Sequence, residues 1–335
     1  MGPLATQMLC DLGADVIKIE PPGGDGLRTA GDAAEPDMGP LFWHLNRGKT
    51  SVVADLRTDD GRAAVVELCR TADVFATNVR PGGLTRAGLD PGSLLDLNPR
   101  LIYASMVGFG QDGPYAPLAA YDDLMQAYCG LVHTLGYTSK GDPHFVPYNL
   151  CDRSVGLYAF GCISAALFER ERSGRGQHIE IPMFETMAAL IMSEHLNGQS
   201  FTPPTGPSGY QRVTDPSRRP YRTSDGFVCA LVYNPGQWQR FLAVVGVEER
   251  PDKPDEQTFL HGQFASRSTA EWLQILRGAD VPVAPLNTLD DVLIDPHLTA
   301  VQLFEEVDGV RTPRVPSRWS ATPPGKLRAA PRLSG

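Results

Sequence analysis

An aspartate set where a polar loop gives way to a long apolar segment is the residue best placed to do chemistry in this chain. Asp152 lies in Asn149-Leu150-Cys151-Asp152-Arg153-Ser154-Val155-Gly156, and the small and apolar run continues to Phe168. A carboxyl group with an ordinary pKa of about 3.9 is ionised at neutral pH. As a weak nucleophile it needs positioning more than deprotonation. The run predicts a helix packed tightly into a core, ended by residues 169–172 and the turn Ser173-Gly174-Arg175-Gly176. Asp152 then falls at the N-cap or in the first turn, where the helix dipole favours negative charge. Simple capping, worth about 0.5–2 kcal/mol, would also account for it, and the two roles are compatible.

A second set of residues is basic. Arg28, Arg47, Lys49, Arg57, Arg80 and Arg86 fall near successive strand termini, where an open α/β sheet binds ligands. Singly each reads as a solvated charge. Together they predict a site for a phosphate-bearing ligand. Gly108-Phe109-Gly110-Gln111-Asp112-Gly113 has the spacing of a dinucleotide fingerprint, but Pro114 and Pro117 oppose the helix that such a fingerprint opens. Glu20 imitates a ribose-binding acid and is expected to be a strand-end surface charge. Cys10, Cys69, Cys129, Cys151, Cys162 and Cys229 are scattered without C-x-x-C spacing. That predicts reduced thiols, no zinc site, and a packing role for Cys151.

The elements that must position these residues alternate. Residues 2–12 predict a helix, 15–20 a strand, 51–56 a strand, and 58–69 a helix capped by Thr58. Then follow a strand at 73–78, a turn at 80–83, a short helix at 91–97, a strand at 101–106 and a helix at 120–131. Beyond the Asp152 helix come a strand at 177–181 and a methionine-rich helix at 183–196, whose methionines read as core filler. The alternation predicts a Rossmann-like, doubly wound parallel sheet in an α/β large domain. Residues 201–220 turn rich in Pro, Gly, Ser and Thr and read as a linker. A smaller α/β domain follows at 221–300, with a strand at 227–232, helices at 236–245 and 269–277, and a strand at 281–285. From about residue 296 the chain reads as an irregular return, with 301–335 rejoining the large domain 1–200.

Composition bounds the rest. The 335 residues exceed one typical core. The formal charge of −9 opposes nucleic acid and anionic membranes as partners. No signal peptide opens the chain. The longest uncharged run, near 155–168, is shorter than the roughly 20 residues that span a bilayer. A cytoplasmic location is expected.

In order and spacing the chain resembles the class III CoA-transferases, the CaiB/BaiF family. The resemblance is carried by Gly2-Pro3 and Leu12-Gly13-Ala14-Asp15-Val16-Ile17-Lys18-Ile19-Glu20-Pro21-Pro22, then Asn46-Arg47-Gly48-Lys49, Asp55-Leu56-Arg57 and Ala72-Asp73-Val74. Asn78-Val79-Arg80-Pro81-Gly82, Gly108-Phe109-Gly110, Gly113-Pro114, Gly174-Arg175-Gly176-Gln177 and Asp225-Gly226 extend it. The resemblance implies that Asp152 is the nucleophile and that Ala54, Asp55, Leu56, Arg57, Asn78, Val79, Arg80 and Arg86 surround CoA. Pro21 stands where members often carry a basic residue, so Arg28 is expected to serve the CoA phosphates instead. Gly108, Phe109, Gly110, Tyr121 and Asp122 are expected in the substrate pocket, with backbone N–H groups of the 108–110 loop as oxyanion donors.

CoA and acyl-CoA would be substrates, with a carboxylic acid as acceptor, no permanently bound cofactor and no metal. An interlocked homodimer is implied. No glycine triplet lies between Asn197 and Tyr221, so oxalate is not expected as acceptor. A 2-methylacyl-CoA racemase is the rival of the same fold. It needs two acid/base groups, and where that branch carries histidine this chain has Tyr121, expected to be ordinary aromatic packing. Members begin with a further strand before Gly-Pro and continue past the point where this chain closes at Pro331-Arg332-Leu333-Ser334-Gly335. A non-catalytic, truncated CoA-binding homologue is therefore the third reading.

Overall fold

A computed structural model describes residues 1–33, 35–139, 142–253 and 255–333. In chain order the elements begin α1 (Gly2–Asp11), β1 (Ile17–Glu20), α2 (Pro40–Asn46), β2 (Thr50–Val53), α3 (Asp59–Cys69), β3 (Val74–Thr77), α4 (Pro81–Arg86), α5 (Pro91–Leu97) and β4 (Ile102–Val107). They continue α6 (Asp122–Tyr128), α7 (Leu131–Ser139), α8 (Leu150–Ser173), β5 (Gln177–Pro182), α9 (Met183–His195), α10 (Gln211–Thr214), β6 (Tyr221–Arg222), β7 (Phe227–Ala230) and α11 (Pro235–Val245). The last are α12 (Glu256–Phe264), α13 (Thr269–Gly278), β8 (Val283–Pro285), α14 (Leu289–Leu293), α15 (Pro296–Ala300), β9 (Phe304–Val307) and β10 (Val310–Pro313). The chain divides into two compact units, one of residues 1–133, 143–208 and 302–335, the other of 134–142 and 209–301.

In the first unit every strand pair among β1 to β5 is parallel, as βα alternation demands. The strands do not form the single doubly wound sheet expected. β1 pairs only with β2, and β3, β4 and β5 form a separate sheet. A cavity of about 850 Å³, lined by Ile17 and Ile19 of β1 and by Val74 and Ala76 of β3, lies between the two edges. β4 is buried along its whole length, which explains its largely apolar sequence.

α8 is the central helix of this unit. It is long and apolar enough to cross a membrane by length and composition, yet Val155, Ala159 and Ile163 are fully buried here. They belong to the protein's own core or its edge, with Ala5 of α1, Met106 of β4 and Met183 of α9 in the same cluster as Val155 and Ala159. Residues 169–172 continue the helix rather than end it. Arg170 pairs with Asp73 at 2.9 Å, and cations in a last turn suit the helix dipole. Gly174, at φ 73°, makes the left-handed stop.

Several short elements differ from expectation. The turn at 80–83 opens α4, with Pro81 at its first position. The helix foreseen at 120–131 is the shorter α6, followed by α7 after Gly130 at φ 83°. α2 was not foreseen; its Phe42 and Trp43 are buried against the β9–β10 hairpin, which itself occupies the stretch expected to be irregular. The second unit holds an antiparallel sheet, β6–β7–β8. Its core is aromatic, with Trp238, Phe241, Phe264 and Trp272 in one cluster. α12 was also missed; its Leu260 and Phe264 sit in that cluster.

Glu20 is not a surface charge. It is 1% exposed and accepts from Arg28 Nε at 2.8 Å, Arg28 Nη2 at 2.6 Å, Ser51 Oγ at 2.7 Å and the Asp25 amide at 2.9 Å. Burial alone would raise the carboxyl pKa, but these donors outweigh it and hold it at about 2. Removing one partner of a buried pair strands the other charge, so Glu20→Ala should lower unfolding free energy by roughly 3–5 kcal/mol in denaturant titration. The folded value lies below the ordinary 4.5. The stability this carboxylate adds is therefore present above pH 4.5 and lost as pH falls towards about 2. A Glu20→Gln chain should lack that acid-dependent loss. Equal stability of the wild-type and Glu20→Ala chains at pH 7 would contradict the account.

Candidate active site

Asp152 occupies the first turn of α8. Asn149, the N-cap residue, offers no side-chain bond to the helix. The cap comes from elsewhere in the chain, since Asp122 Oδ2 accepts the Asp152 N–H at 2.8 Å. The Asp152 carboxylate is left partly open, 35% exposed, with the Met1 nitrogen donating to its Oδ1 at 2.9 Å. A carboxylate at this end of a helix is favoured electrostatically.

A pocket of about 320 Å³ opens over it, lined by Asp152, Asp122, Tyr121, Gly108, Asn78 and Arg80 among others. These come from four connections: the loop after β3, the loop after β4, the start of α6 and the start of α8. Gly108 is required at its position, because a Cβ there would collide with the Ala120 side chain. Val79, whose amide is held by Thr77 Oγ1 at 3.1 Å, also lines the pocket. A second cavity of about 250 Å³ shares Asn78, Val79 and Met106 with the first and reaches Leu56 and Lys49. Tyr121 is 70% exposed, so it is not the aromatic packing residue expected. None of the described residues lining either cavity is a histidine.

Other expected residues sit elsewhere. Arg28 is 2% exposed, clasped by Glu20 and stacked 3.9 Å over the Phe42 ring, so its guanidinium is not offered to a phosphate. Arg47 is buried against Asp11, and Lys49 donates to Pro3 O, Thr6 Oγ1 and Asn46 Oδ1. Burial, with Lys18 nearby, pulls the Lys49 ammonium down to about 7. These three basic residues lock α1, α2 and β1 together instead of facing solvent. Phe109 is 2% exposed and packs edge-on against Tyr128 and Phe184. The Gly110 N–H is committed to Glu185 Oε1 at 2.8 Å, which removes it as an oxyanion donor.

Ala54, Asp55, Arg57 and Arg86 line neither cavity. Arg57 is turned to solvent and forks onto Asp55, whose carboxyl its hydrogen bonds lower to about 2. Cys151 is fully buried, and its thiol is pushed up by a hydrogen bond with Cys129 and by burial, as suits packing and not attack. Among the described residues no group of three or more His, Cys, Asp or Glu side chains is placed to hold a metal.

Sequence reasoning did not single out Gln126, which is fully buried and donates to Asp122 Oδ1 at 2.8 Å. Its signal was present: it stands four residues after Asp122 on a predicted helix, the spacing at which side chains meet. Gln111, Ala116 and Leu118, which line the pocket, carried no such signal.

Comparison with known proteins accords with this arrangement. The family model described as CoA-transferase family III matches residues 1–335. The succinate–glutarate CoA-transferase of Agrobacterium fabrum is 37% identical over 361 aligned positions, covering 99% of this chain and 89% of that protein. The acetyl-CoA:oxalate CoA-transferase of Acetobacter aceti is 33% identical, covering 99% of this chain and 89% of its own length. The crystal structure of a CaiB/BaiF family protein from Brucella suis superposes with a TM-score of 0.85 at 32% identity, covering 99% of this chain and 92% of that one.

Proposed function

The chain belongs to CoA-transferase family III, and we propose that Asp152 is the covalent nucleophile with which it moves CoA from an acyl-CoA to a carboxylic acid. The observation that carries this reading is the Asp152 carboxylate itself. It is open to a pocket while its own amide is tied down by Asp122.

The steps balance without an external acid or base. An Asp152 oxygen attacks the thioester carbonyl carbon, the C–S bond breaks, and CoA leaves as thiolate with an acyl–aspartyl anhydride behind it. The thiolate attacks the aspartyl carbonyl and the anhydride C–O bond breaks. The donor acid leaves as its carboxylate, and Asp152 now carries CoA as a thioester. An acceptor carboxylate attacks that carbonyl and frees the thiolate, which then takes the acceptor's acyl group and restores the Asp152 carboxylate. Positioning, not proton transfer, supplies the rate.

Asn78, Val79, Arg80 and Leu56 are the residues we assign to CoA, with Tyr121, Asp122 and Gly108 around the acyl group. Ala54, Asp55, Arg57 and Arg86 are assigned to its outer, solvent-facing part; Arg28 is dropped. That none of the described residues lining the pocket is a histidine supports a transferase over a racemase.

We further read the chain as a homodimer acting in the cytoplasm, where its cysteines stay reduced. The support is the apolar stripe Leu157, Gly161, Ala165 and Phe168 on α8, exposed in one chain. Light scattering should give about twice the 36.3 kDa chain mass, and a 36.3 kDa species would contradict the dimer.

Steady-state kinetics tests the nucleophile. With succinyl-CoA and glutarate as probes, the wild-type chain should give parallel double-reciprocal lines. Asp152→Asn should lower turnover at least about a hundredfold. An Asp152→Asn chain within about tenfold of wild type would overturn the assignment.

A further inference from the structure

We propose that Gln126 is a positioning residue for the reaction, acting through Asp122 on Asp152. The proposal rests on the reading of Asp152 as nucleophile.

The starting point is the beginning of α8, which its own N-cap side chain leaves without a bond. Its first amides lack a partner within the helix, as at any helix N-terminus, and Asn149 supplies none. Asp122, 30 residues earlier, takes the amide of Asp152 itself. That bond fixes the backbone from which the nucleophilic carboxylate hangs. Asp122 is in turn held by its other oxygen, Oδ1, which receives Gln126 Nε2 at 2.8 Å.

Gln126 has a second hold. Its Oε1 accepts the Val146 N–H at 2.9 Å, and its Nε2 lies 3.4 Å from Tyr148 O. Val146 and Tyr148 belong to the segment that leads into α8, where Tyr148 N–H bonds to Val146 O at 2.7 Å and Leu150 N–H to Tyr148 O at 2.6 Å. One buried amide therefore joins the acid that caps α8 to the strand of chain that delivers α8. Gln126 is fully buried and Asp122 is 8% exposed, so water does not readily replace either partner.

The chemistry of the position selects glutamine. It must donate to a carboxylate on one side and accept from an N–H on the other. A flipped amide would set donor against donor at Val146 and oxygen against oxygen at Asp122. Glutamate would keep the bond to Val146 and lose the one to Asp122, with like charges facing each other. Gln126 does not line the pocket. Its loss should therefore disturb where the carboxylate sits and not how acyl-CoA binds.

The experiment compares Gln126→Glu and Gln126→Met with the double variant Gln126→Glu/Asp122→Asn, using succinyl-CoA and glutarate. In the double variant the new amide nitrogen at 122 can donate to the new carboxylate at 126, and its oxygen can still accept the Asp152 N–H. Each single variant should lose between about ten- and a hundredfold in kcat, with KM for succinyl-CoA within about twofold of wild type. The double variant should recover at least about fivefold in kcat over Gln126→Glu.

Folded single variants with wild-type kcat, a rise in KM in place of the fall in kcat, or a folded double variant no better than the singles would overturn the proposal. If neither single variant folds, the double variant decides. A folded, active double variant supports the relay, and an unfolded or inactive one overturns it. Asp152→Asn run alongside separates the two claims, because turnover surviving in that variant sinks the nucleophile whatever Gln126 does.

Discussion

The close approach of α1 to α8 at Gly156 is the contact on which the site depends. A Cβ at this position would sit 2.9 Å from Met1 O and 3.2 Å from Leu4 Cβ, a crowding whose relief typically costs about 1–3 kcal/mol. Without it the first turn of α1 lies directly on the first turns of α8, one helical turn from Asp152. The α1 face that makes the contact, with Ala5 fully buried, joins the same core as Val155 and Ala159. The small residues that gave the α8 segment its unusual composition are thus the means by which a second helix reaches the Asp152 carboxylate.

Two kinds of electrostatics coexist around this packing. Glu20 with Arg28, and Arg47 with Asp11, are ion pairs withdrawn from water. Lys49 is buried among neutral acceptors and loses its ordinary basicity as a result. These groups hold β1, α1 and α2 in register and have no charge left for a ligand. Arg80, which lines the pocket, and Arg57, turned outward on Asp55, remain on the surface.

What the sequence reveals follows from which interactions are local. Asp152 was readable because the change from polar loop to small apolar run is itself a helix start. Tyr121, Asp122 and Asn78-Val79-Arg80 were expected from the family resemblance, which the residues carry through their order along the chain. Arg28 and Arg80 look alike in sequence, since both are arginines near strand ends. Only the fold decides that the first meets Glu20 and Phe42 while the second meets the pocket. The Gly110 amide is lost as a donor for the same reason, because Glu185 lies 75 residues away. The break between β1 and β3 cannot be seen in either strand by itself, because pairing is a property of neighbours; its one signal was the further strand that family members carry before Gly-Pro. The short elements α2 and α12 and the β9–β10 hairpin carry too few periods to stand out from loop sequence, and tertiary burial of Trp43, Phe264 and Thr312 makes them.

The central claim is that Asp152 becomes covalently linked during turnover. Its most direct test is the intact mass of the protein after brief exposure to succinyl-CoA, with and without hydroxylamine, on the wild-type chain and on Asp152→Ala. The account predicts a hydroxylamine-labile mass increase on the wild-type chain that is absent from Asp152→Ala. An adduct that persists in Asp152→Ala, or wild-type enzyme that turns over while no adduct forms with any donor it uses, would contradict it.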